Sequence, residues 1–263
     1  RRVVTGRYSF LKSPVWIVGI LIVSITVATF INLGMWQLRR LDERRALNAT
    51  IESRMAEDPV DLGLLLATVG RDPEALEYRR VTTTGTYRPD DEILLQARTL
   101  SGVSGHNVVT PLVMGPESLA VNRGWVPIDS EGPPVPDALP PVGTVTVGGI
   151  LRAPESRGPT GVTEDDGSYR KIGRLDLELL APQWGPALLP VYLQLQEQDP
   201  AQEQYPSPLP PPDIGEGAHL SYAVQWFVFA AVAAVGFPIL VVNTARRRDA
   251  TPSGPPSTPS SAP

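Results

Sequence analysis

Two uncharged apolar runs lie near opposite ends of the chain, at Val15–Leu33 and Leu220–Val242. As helices with a rise of about 1.5 Å per residue, they would extend about 29 and about 35 Å. Both lengths suffice to cross a hydrocarbon core of about 30 Å. Trp16 and Trp36 bracket the first run, where the aromatic belts of membrane proteins lie. Because the buried helices of soluble proteins seldom avoid charge over such lengths, the pattern predicts a two-pass membrane protein.

The polar–apolar pattern after the first run predicts that its helix continues beyond the membrane. No glycine or proline occurs from Trp36 to Glu57. The apolar residues of this stretch fall on one side of a helix, as in an amphipathic extension; they are Leu41, Leu47, Ile51 and Met55. We expect the extension to end near Asp58-Pro59, followed by a short helical turn at Leu62–Thr68.

From Tyr78 onward the chain changes to short runs rich in β-branched and aromatic residues, separated by turn-forming residues. The candidate strands are Arg80–Tyr87, Glu92–Arg98, His106–Val113, Leu119–Val126, Gly143–Leu151 and Val191–Gln196. Their spacing predicts a small, mainly antiparallel sheet or barrel with a helical insert at Leu175–Leu180. The predicted fold class is therefore membrane α+β, with N- and C-terminal transmembrane helices flanking an external β domain.

The predicted domain order follows from these patterns and from two proline-dense stretches, at Pro133–Pro141 and Pro206–Pro212, which we expect to be extended loops. The segments are a basic lead (1–13), a first transmembrane helix (14–38), a helical extension and linker (39–77), the β domain (78–205), a proline-rich linker (206–218), a second transmembrane helix (219–243) and a disordered tail (244–263).

Charge is distributed unevenly along the chain, whose net charge is −5. The lead carries four basic residues and no acidic one, and Arg246–Arg248 directly follow the second apolar run. No lysine or arginine occurs in the twenty residues before that run, and the acidic residues are concentrated in the centre. The positive-inside rule therefore predicts cytoplasmic termini and an external central domain, in the plasma (inner) membrane. An acidic external domain would repel phosphates, which argues against nucleic-acid binding.

The inventory of reactive residues argues against an enzyme. The chain has no cysteine and only two histidines, His106 and His219. It contains none of the common hydrolase, nucleotide-binding or zinc-binding motifs. The acidic run Glu164-Asp165-Asp166 is a weak candidate for calcium binding, and solvated surface is the favoured interpretation.

One group of residues at the start of the second run could carry chemistry. At 100° per residue, His219, Tyr222, Trp226 and Phe229 share one helix face. An imidazole can ligate haem iron and aromatic rings can pack on a porphyrin. The alternative, which the residues by themselves favour, is an interfacial belt in which His219 hydrogen-bonds at headgroup level. Small residues for close helix contact follow at Ala230, Ala234 and Gly236, and Pro238 is expected to bend the helix.

Three strings resemble motifs of the surfeit locus protein 1 family. The string Leu33–Leu41 (LGMWQLRRL) is similar to its L-G-x-W-Q-x-x-R motif, and Val121–Pro127 (VNRGWVP) is similar to N-R-G-W-V. The string His219–Phe227 (HLSYAVQWF) resembles its H-x-x-Y-A-x-Q-W-F entry to the second helix. The three motifs occur in order on the same two-pass layout, in a chain typical of a bacterial member encoded by a GC-rich genome.

The resemblance implies a non-enzymatic assembly factor for haem–copper cytochrome c oxidase that assists insertion of haem a into the catalytic subunit. It implies transient haem a contact, with His219 as the iron ligand and Tyr222, Gln225 and Trp226 beside it. The alternative function is a stable accessory subunit of the oxidase or of its respiratory supercomplex.

The resemblance also suggests an interface with the oxidase catalytic subunit, the supercomplex or membrane lipids. The candidate interface residues are Trp36, Gln37, Arg39, Arg40, Arg123 and Trp125. Structural interpretations of the same residues stay open. Asn122 and Gly124 suit a turn or bulge, Trp125 suits a core, and the arginines after the first run suit lipid headgroups.

Overall fold

A computed structural model describes residues 6, 8–155, 161–163, 168–185, 187–202 and 205–250 of the 263-residue chain. The acidic run at 164–166 lies outside the described residues. The chain forms two compact units, one comprising residues 1–48 and 215–263 and the other residues 49–214. The second unit is wider than the predicted β domain of 78–205, because it also includes short elements that precede Tyr78.

Two long apolar helices, α1 (Pro14–Met55) and α5 (His219–Ala250), dominate the first unit, preceded by a 3-10 turn at Ser9–Lys12. Both are long and apolar enough to span a membrane. Their most apolar windows are 0% and 6% buried, whereas the core helix of a soluble protein would be mostly covered. The α+β class with an apolar helix at each end is thus confirmed, and it is compatible with a two-pass membrane protein.

The second unit contains three short helices and nine strands within its described residues. The helices are α2 (Leu62–Val69), α3 (Pro73–Leu76) and α4 (Leu177–Trp184). The strands are β1 (Val60–Asp61), β2 (Arg80–Tyr87), β3 (Ile93–Leu100), β4 (Val103–Met114), β5 (Glu117–Pro127), β6 (Thr144–Arg152), β7 (Gly161–Thr163), β8 (Tyr169–Ile172) and β9 (Leu188–Asp199). The carboxylates of Asp61 and Asp176 cap α2 and α4, where they accept hydrogen bonds from backbone N–H groups of the first turn.

The strands close into a barrel. The ladder order is β1-β2-β6-β9-β5-β4-β3-β8-β7, and an additional pairing joins β2 to β4. Strands β2, β6, β9, β5 and β4 therefore form a closed ring. The ring interior is filled by aliphatic side chains with almost no exposed surface, among them Val81, Leu112, Leu119, Val147 and Leu193. A second cluster packs beneath α4 and includes Ile93, Ile172, Leu180 and Trp184.

All six predicted strands are present, most of them longer than expected, and the mainly antiparallel pairing is confirmed. Three pairs are nevertheless parallel: β1 with β2, β3 with β8, and β5 with β9. The three strands without a sequence prediction, β1, β7 and β8, have two to four residues each. Such strands are too short to show an alternating pattern.

The proline-dense stretch at Pro133–Pro141 is not the extended loop that we expected. It contains a 3-10 turn at Pro136–Ala138, and the side chains of Val135 and Ala138 are buried against Leu94, Val108 and Val126. Its apolar residues therefore add a third small core to the β domain. The proline content did not predict this small core, because it indicates a stiff backbone and does not show which side chains pack.

Candidate functional site

Two of the three motif strings meet within the first unit. His219 is the first residue of α5, and its Nδ1 atom lies 2.9 Å from Oε1 of Gln37 on α1. Because a carbonyl oxygen can only accept, this contact requires a proton on Nδ1, and a neutral ring protonated there carries its lone pair on Nε2. Both side chains are partly buried. The contact joins a residue of the LGMWQ string to the histidine that opens the second helix.

A second contact between the same strings explains the glycine in the first of them. A Cβ atom at Gly34 would lie 2.7 Å from Cε1 of Phe227, well inside the normal carbon–carbon distance of about 3.5–4.0 Å. Only glycine therefore allows the Phe227 ring to pack directly on the α1 backbone. Ala223 and Ala230 on α5 are also buried, as expected of a close helix pair.

The small-residue prediction was only partly right. Ala230 is 5% exposed, whereas Ala234 and Gly236 are exposed and nothing lies within 4 Å of a Cβ built at Gly236. The closest approach of the two helices occurs earlier along α5 than expected, at Phe227, because Gly34 on α1 provides the space. The spacing of small residues along α5 could not predict the position of the contact, since the residue that provides the space is on α1.

The aromatic face of α5 divides into a packed part and an exposed part. Trp226 and Phe229 are in edge-to-face contact with ring centroids 6.0 Å apart, and both lie against Phe30 of α1, at 5.5 and 5.9 Å. Tyr222 is 50% exposed and Gln225 is also exposed. Of the four haem-contact candidates, Trp226 therefore belongs to the helix–helix contact, while Tyr222 and Gln225 are exposed.

The Nε2 atom of the partly exposed His219 lies on the side of Gly217. Within the described residues, Nε2 makes no hydrogen bond, and a Cβ at Gly217 would stand 3.8 Å from it. The backbone of Gly217 has φ +69°, a conformation that favours glycine. A partly exposed imidazole whose Nε2 makes no hydrogen bond is a donor that would fit a haem iron as one ligand.

The arginines after the first apolar run have different surroundings. Arg39 is exposed, and Arg40 pairs with Glu43 on its own helix at 2.5 Å. Arg45 forms a two-pronged ion pair with Glu216, at 2.7 and 3.1 Å, and the side-chain hydrogen bond lowers the pKa of that carboxyl. Arg44 donates to the carbonyl of Gly215 at 2.9 Å. The sequence did not predict that the linker before α5 would be held in this way.

Trp36 remains an exposed interface candidate, with 47% of its surface accessible. Arg123 and Trp125 are not exposed candidates, since only 2% and 8% of their surfaces are accessible. Both lie in β5, in the interior of the β domain. The expectation that these two side chains form part of an exposed interface is corrected, and the core interpretation of Trp125 is the right one.

Arg123 occupies a bulge and pairs with a buried carboxylate. The β4–β5 register shifts opposite Val108 and Val109, so Arg123 is the extra residue that turns inward. Its Nη1 atom donates to Oε2 of Glu92 at 3.2 Å, and both side chains are fully buried. Its guanidinium also lies 5.3 Å from the ring centre of Tyr87 and donates to the side chain of Gln202.

The Glu92 carboxylate accepts hydrogen bonds from three residues. The sequence pattern did not identify Glu92 as a functional or structural centre. Besides Arg123, the Thr110 hydroxyl donates to it at 2.8 Å and the Val135 N–H at 2.9 Å. Burial raises the pKa of Glu92, while these donors and the arginine charge oppose the shift. The only sequence signal was a carboxylate at the start of a strand that continues with three apolar residues.

The remaining residues of the NRGWV string shape the backbone around this pair. Gly124 has φ +138°, and a Cβ there would lie 2.3 Å from the carbonyl oxygen of Ser207. Trp125 exchanges two backbone hydrogen bonds with Ser207, both of 2.8 Å. A Cβ at Gly105 would lie 2.4 Å from the Trp125 ring. The string is therefore explained by the packing of the β domain, and a bulge at Asn122–Gly124 is confirmed.

The other histidine, His106, belongs to the second unit. It lies in β4 and is 9% exposed. Burial lowers the pKa of its imidazole. Among the residues that the structure describes, no three His, Asp or Glu side chains are grouped as a metal site would require.

The three strings lie within one family match. The model of the SURF1 family matches residues 24–231. The chain belongs to the SURF1 family. It is 31% identical to a SURF1-like protein of Mycobacterium bovis over 96% of this chain and 94% of that protein. It is also 31% identical to mouse Surfeit locus protein 1, over 59% of this chain and 54% of that protein, and 36% identical to a SURF1-like protein of Monosiga brevicollis, over 52% and 55%.

The buried pair of this SURF1-family chain leads to a stability prediction. Glu92→Ala leaves the Arg123 charge buried and unpaired, so the free energy of unfolding should fall by about 3–5 kcal/mol. Glu92→Gln keeps an acceptor and should cost less. The matched control is Glu57→Ala, which removes an exposed partner of Arg79 and should cost about 0–1 kcal/mol. Denaturant titration of the purified full chain measures all three, and an equal loss for Glu57→Ala and Glu92→Ala would contradict this account.

Proposed function

We propose that this protein is a membrane-bound assembly factor for haem–copper cytochrome c oxidase that assists insertion of haem a into the catalytic subunit. Membership of the SURF1 family, known for oxidase assembly, supports the general role. The observation that carries the haem-specific part is the His219 side chain, whose Nδ1 is engaged by Gln37 and whose Nε2 makes no hydrogen bond within the described residues. The first unit contains one histidine, His219, and His106 belongs to the second unit.

The first unit's residues fit a weak and transient haem contact. His219 would hold the iron through Nε2, with exposed Tyr222 and Gln225 beside the ring and Trp226 supporting the helix from the packed side. A bound haem a would be the cargo that passes to the oxidase. Because the described part of the unit offers a single histidine, a second axial ligand has to come from water or from the partner.

The same arrangement supports a non-enzymatic role. The chain has no cysteine, and the nearby Ser221 hydroxyl donates to the Ala218 carbonyl and not to His219. Instead, exposed Trp36, Arg39 and Arg40 extend from the helix that carries Gln37. We assign these three to contact with the oxidase catalytic subunit or with lipid headgroups.

We also propose that both termini are cytoplasmic and that the β domain is external, in the plasma (inner) membrane. Supporting this orientation, Arg246–Arg248 follow the apolar part of α5, and no basic residue occurs in the twenty positions before it. Long segments such as the β domain are translocated largely regardless of charge.

Cysteine labelling tests this orientation, because the chain has no cysteine of its own. A cysteine replacing exposed Glu131 should react with a membrane-impermeant thiol reagent added to intact cells, and one replacing exposed Ser9 should react only after the membrane is opened. Reaction of both cysteines in intact cells would contradict the two-pass arrangement.

The functional proposal is tested in a deletion strain. Loss of the gene should lower haem a content and oxidase activity while oxidase subunits are still synthesised, and His219→Ala should not restore them. Native purification separates the alternative function. Recovery with haem-deficient oxidase precursors is expected, whereas stoichiometric recovery with the active enzyme would identify a permanent accessory subunit. A normal haem a spectrum in the deletion strain would reject both the assembly role and the haem role.

A further inference from the structure

The contact between Gln37 and His219 has a consequence for the chemistry of the imidazole. A neutral histidine carries its proton on one ring nitrogen and a lone pair on the other. In water the two forms coexist, so Nε2 in particular carries the lone pair only part of the time. The Gln37 carbonyl, 2.9 Å from Nδ1, accepts a hydrogen bond from the form that is protonated there. It stabilises this form over the one that is protonated on Nε2.

Three features indicate that the selected form of His219 serves a ligand and not the packing of the helices. Nδ1 is turned toward Gln37 on α1, and Nε2 lies on the side of Gly217, where even a Cβ would stand 3.8 Å away, at ordinary contact distance. His219 is the first residue of α5, so its orientation is not fixed by a preceding helical turn. The helix pair itself is held elsewhere, by Phe227 on Gly34 and by Phe30 between Trp226 and Phe229. The helices therefore do not need the Gln37–His219 bond in order to stay together.

We propose that Gln37 is a positioning residue that holds His219 in the Nδ1-protonated form and presents Nε2 as the ligand nitrogen. This inference rests on the proposed haem contact, and it adds Gln37 as an orienting partner of the ligand. In metal sites, the ligating imidazole generally donates its other N–H to a carbonyl or carboxylate, and loss of that partner lowers metal affinity about 10–100-fold. Gln37 supplies such a carbonyl from a different helix.

Nitrogen NMR of the imidazoles measures the protonation directly and needs no haem. The full chain, labelled with ¹⁵N-histidine and purified in detergent, shows only two imidazoles, and His219→Ala identifies the signal of interest. The measurement is made near pH 8.5, about two units above the ordinary imidazole pKa of about 6.5. Wild-type His219 should show a protonated Nδ1 and an unprotonated Nε2.

Three variants separate positioning from structure. Gln37→Leu removes the acceptor and should shift His219 toward the Nε2-protonated form, while Gln37→Glu keeps an acceptor and should retain the wild-type form. The control is Asn32→Leu, which removes an amide of the same helix that bonds only to the Ala28 carbonyl. It should leave the His219 spectrum unchanged. A wild-type spectrum with Nε2 protonated, or no change in Gln37→Leu, would overturn the inference.

A haem measurement distinguishes failure of this inference from failure of the proposed function. When the chain is co-expressed with haem a synthesis, Gln37→Leu should weaken haem retention about 10–100-fold, and Gln37→Glu and Asn32→Leu should not. Equal retention by wild type and Gln37→Leu, with loss only in His219→Ala, would overturn the role of Gln37 and leave ligation intact. A wild-type chain that never retains haem, although its His219 protonation depends on Gln37, would instead overturn the haem contact itself.

Discussion

The missing side chain at Gly34 is the constraint on which the first unit depends. In a membrane, two apolar helices gain nothing from leaving lipid, so their association needs close packing. Gly34 permits that packing because Phe227 occupies the volume in which any Cβ would stand, 2.7 Å from its ring. With Phe227 in place, the neighbouring turns of α5 set Trp226 against Phe30 and bring His219 to Gln37. The candidate site is thus a consequence of how the two helices pack.

The three family strings serve two different purposes. The first and third belong to one contact between α1 and α5, which pairs Gly34 with Phe227 and Gln37 with His219. The second string lies inside the β domain, where Arg123 pairs with Glu92 and Gly124 admits the backbone of Ser207. A buried ion pair of this kind contributes little net stability compared with apolar residues, but it is costly to break. It connects the bulge at Arg123 to Glu92, the residue directly before β3.

Much of the architecture could be predicted because it follows from patterns within single segments. The length and charge of the apolar runs indicated α1 and α5, and alternation indicated β2 to β6 and β9. What could not be predicted depends on partners distant in sequence. The importance of Glu92 depends on its pairing with Arg123, thirty-one residues later. The importance of Gly34 depends on the Phe227 ring, which lies on another helix. The interface expectation for Arg123 failed for the same reason, since an arginine in a strand looks exposed until a buried carboxylate is found for it.

The most direct test of the account is a cross-link between the two helices in the native membrane. Cysteines replacing Gly34 and Phe227 would be the only two in the chain, and the substitution also removes the ring that a Cβ at position 34 would meet. A mild oxidant should join them into a disulfide, which requires Cβ atoms about 3.5–4.5 Å apart. The matched pair of Gly34→Cys with Val228→Cys, whose native side chain is 52% exposed, should not react. Cross-linking of the second pair in preference to the first would contradict the helix packing from which the site is derived.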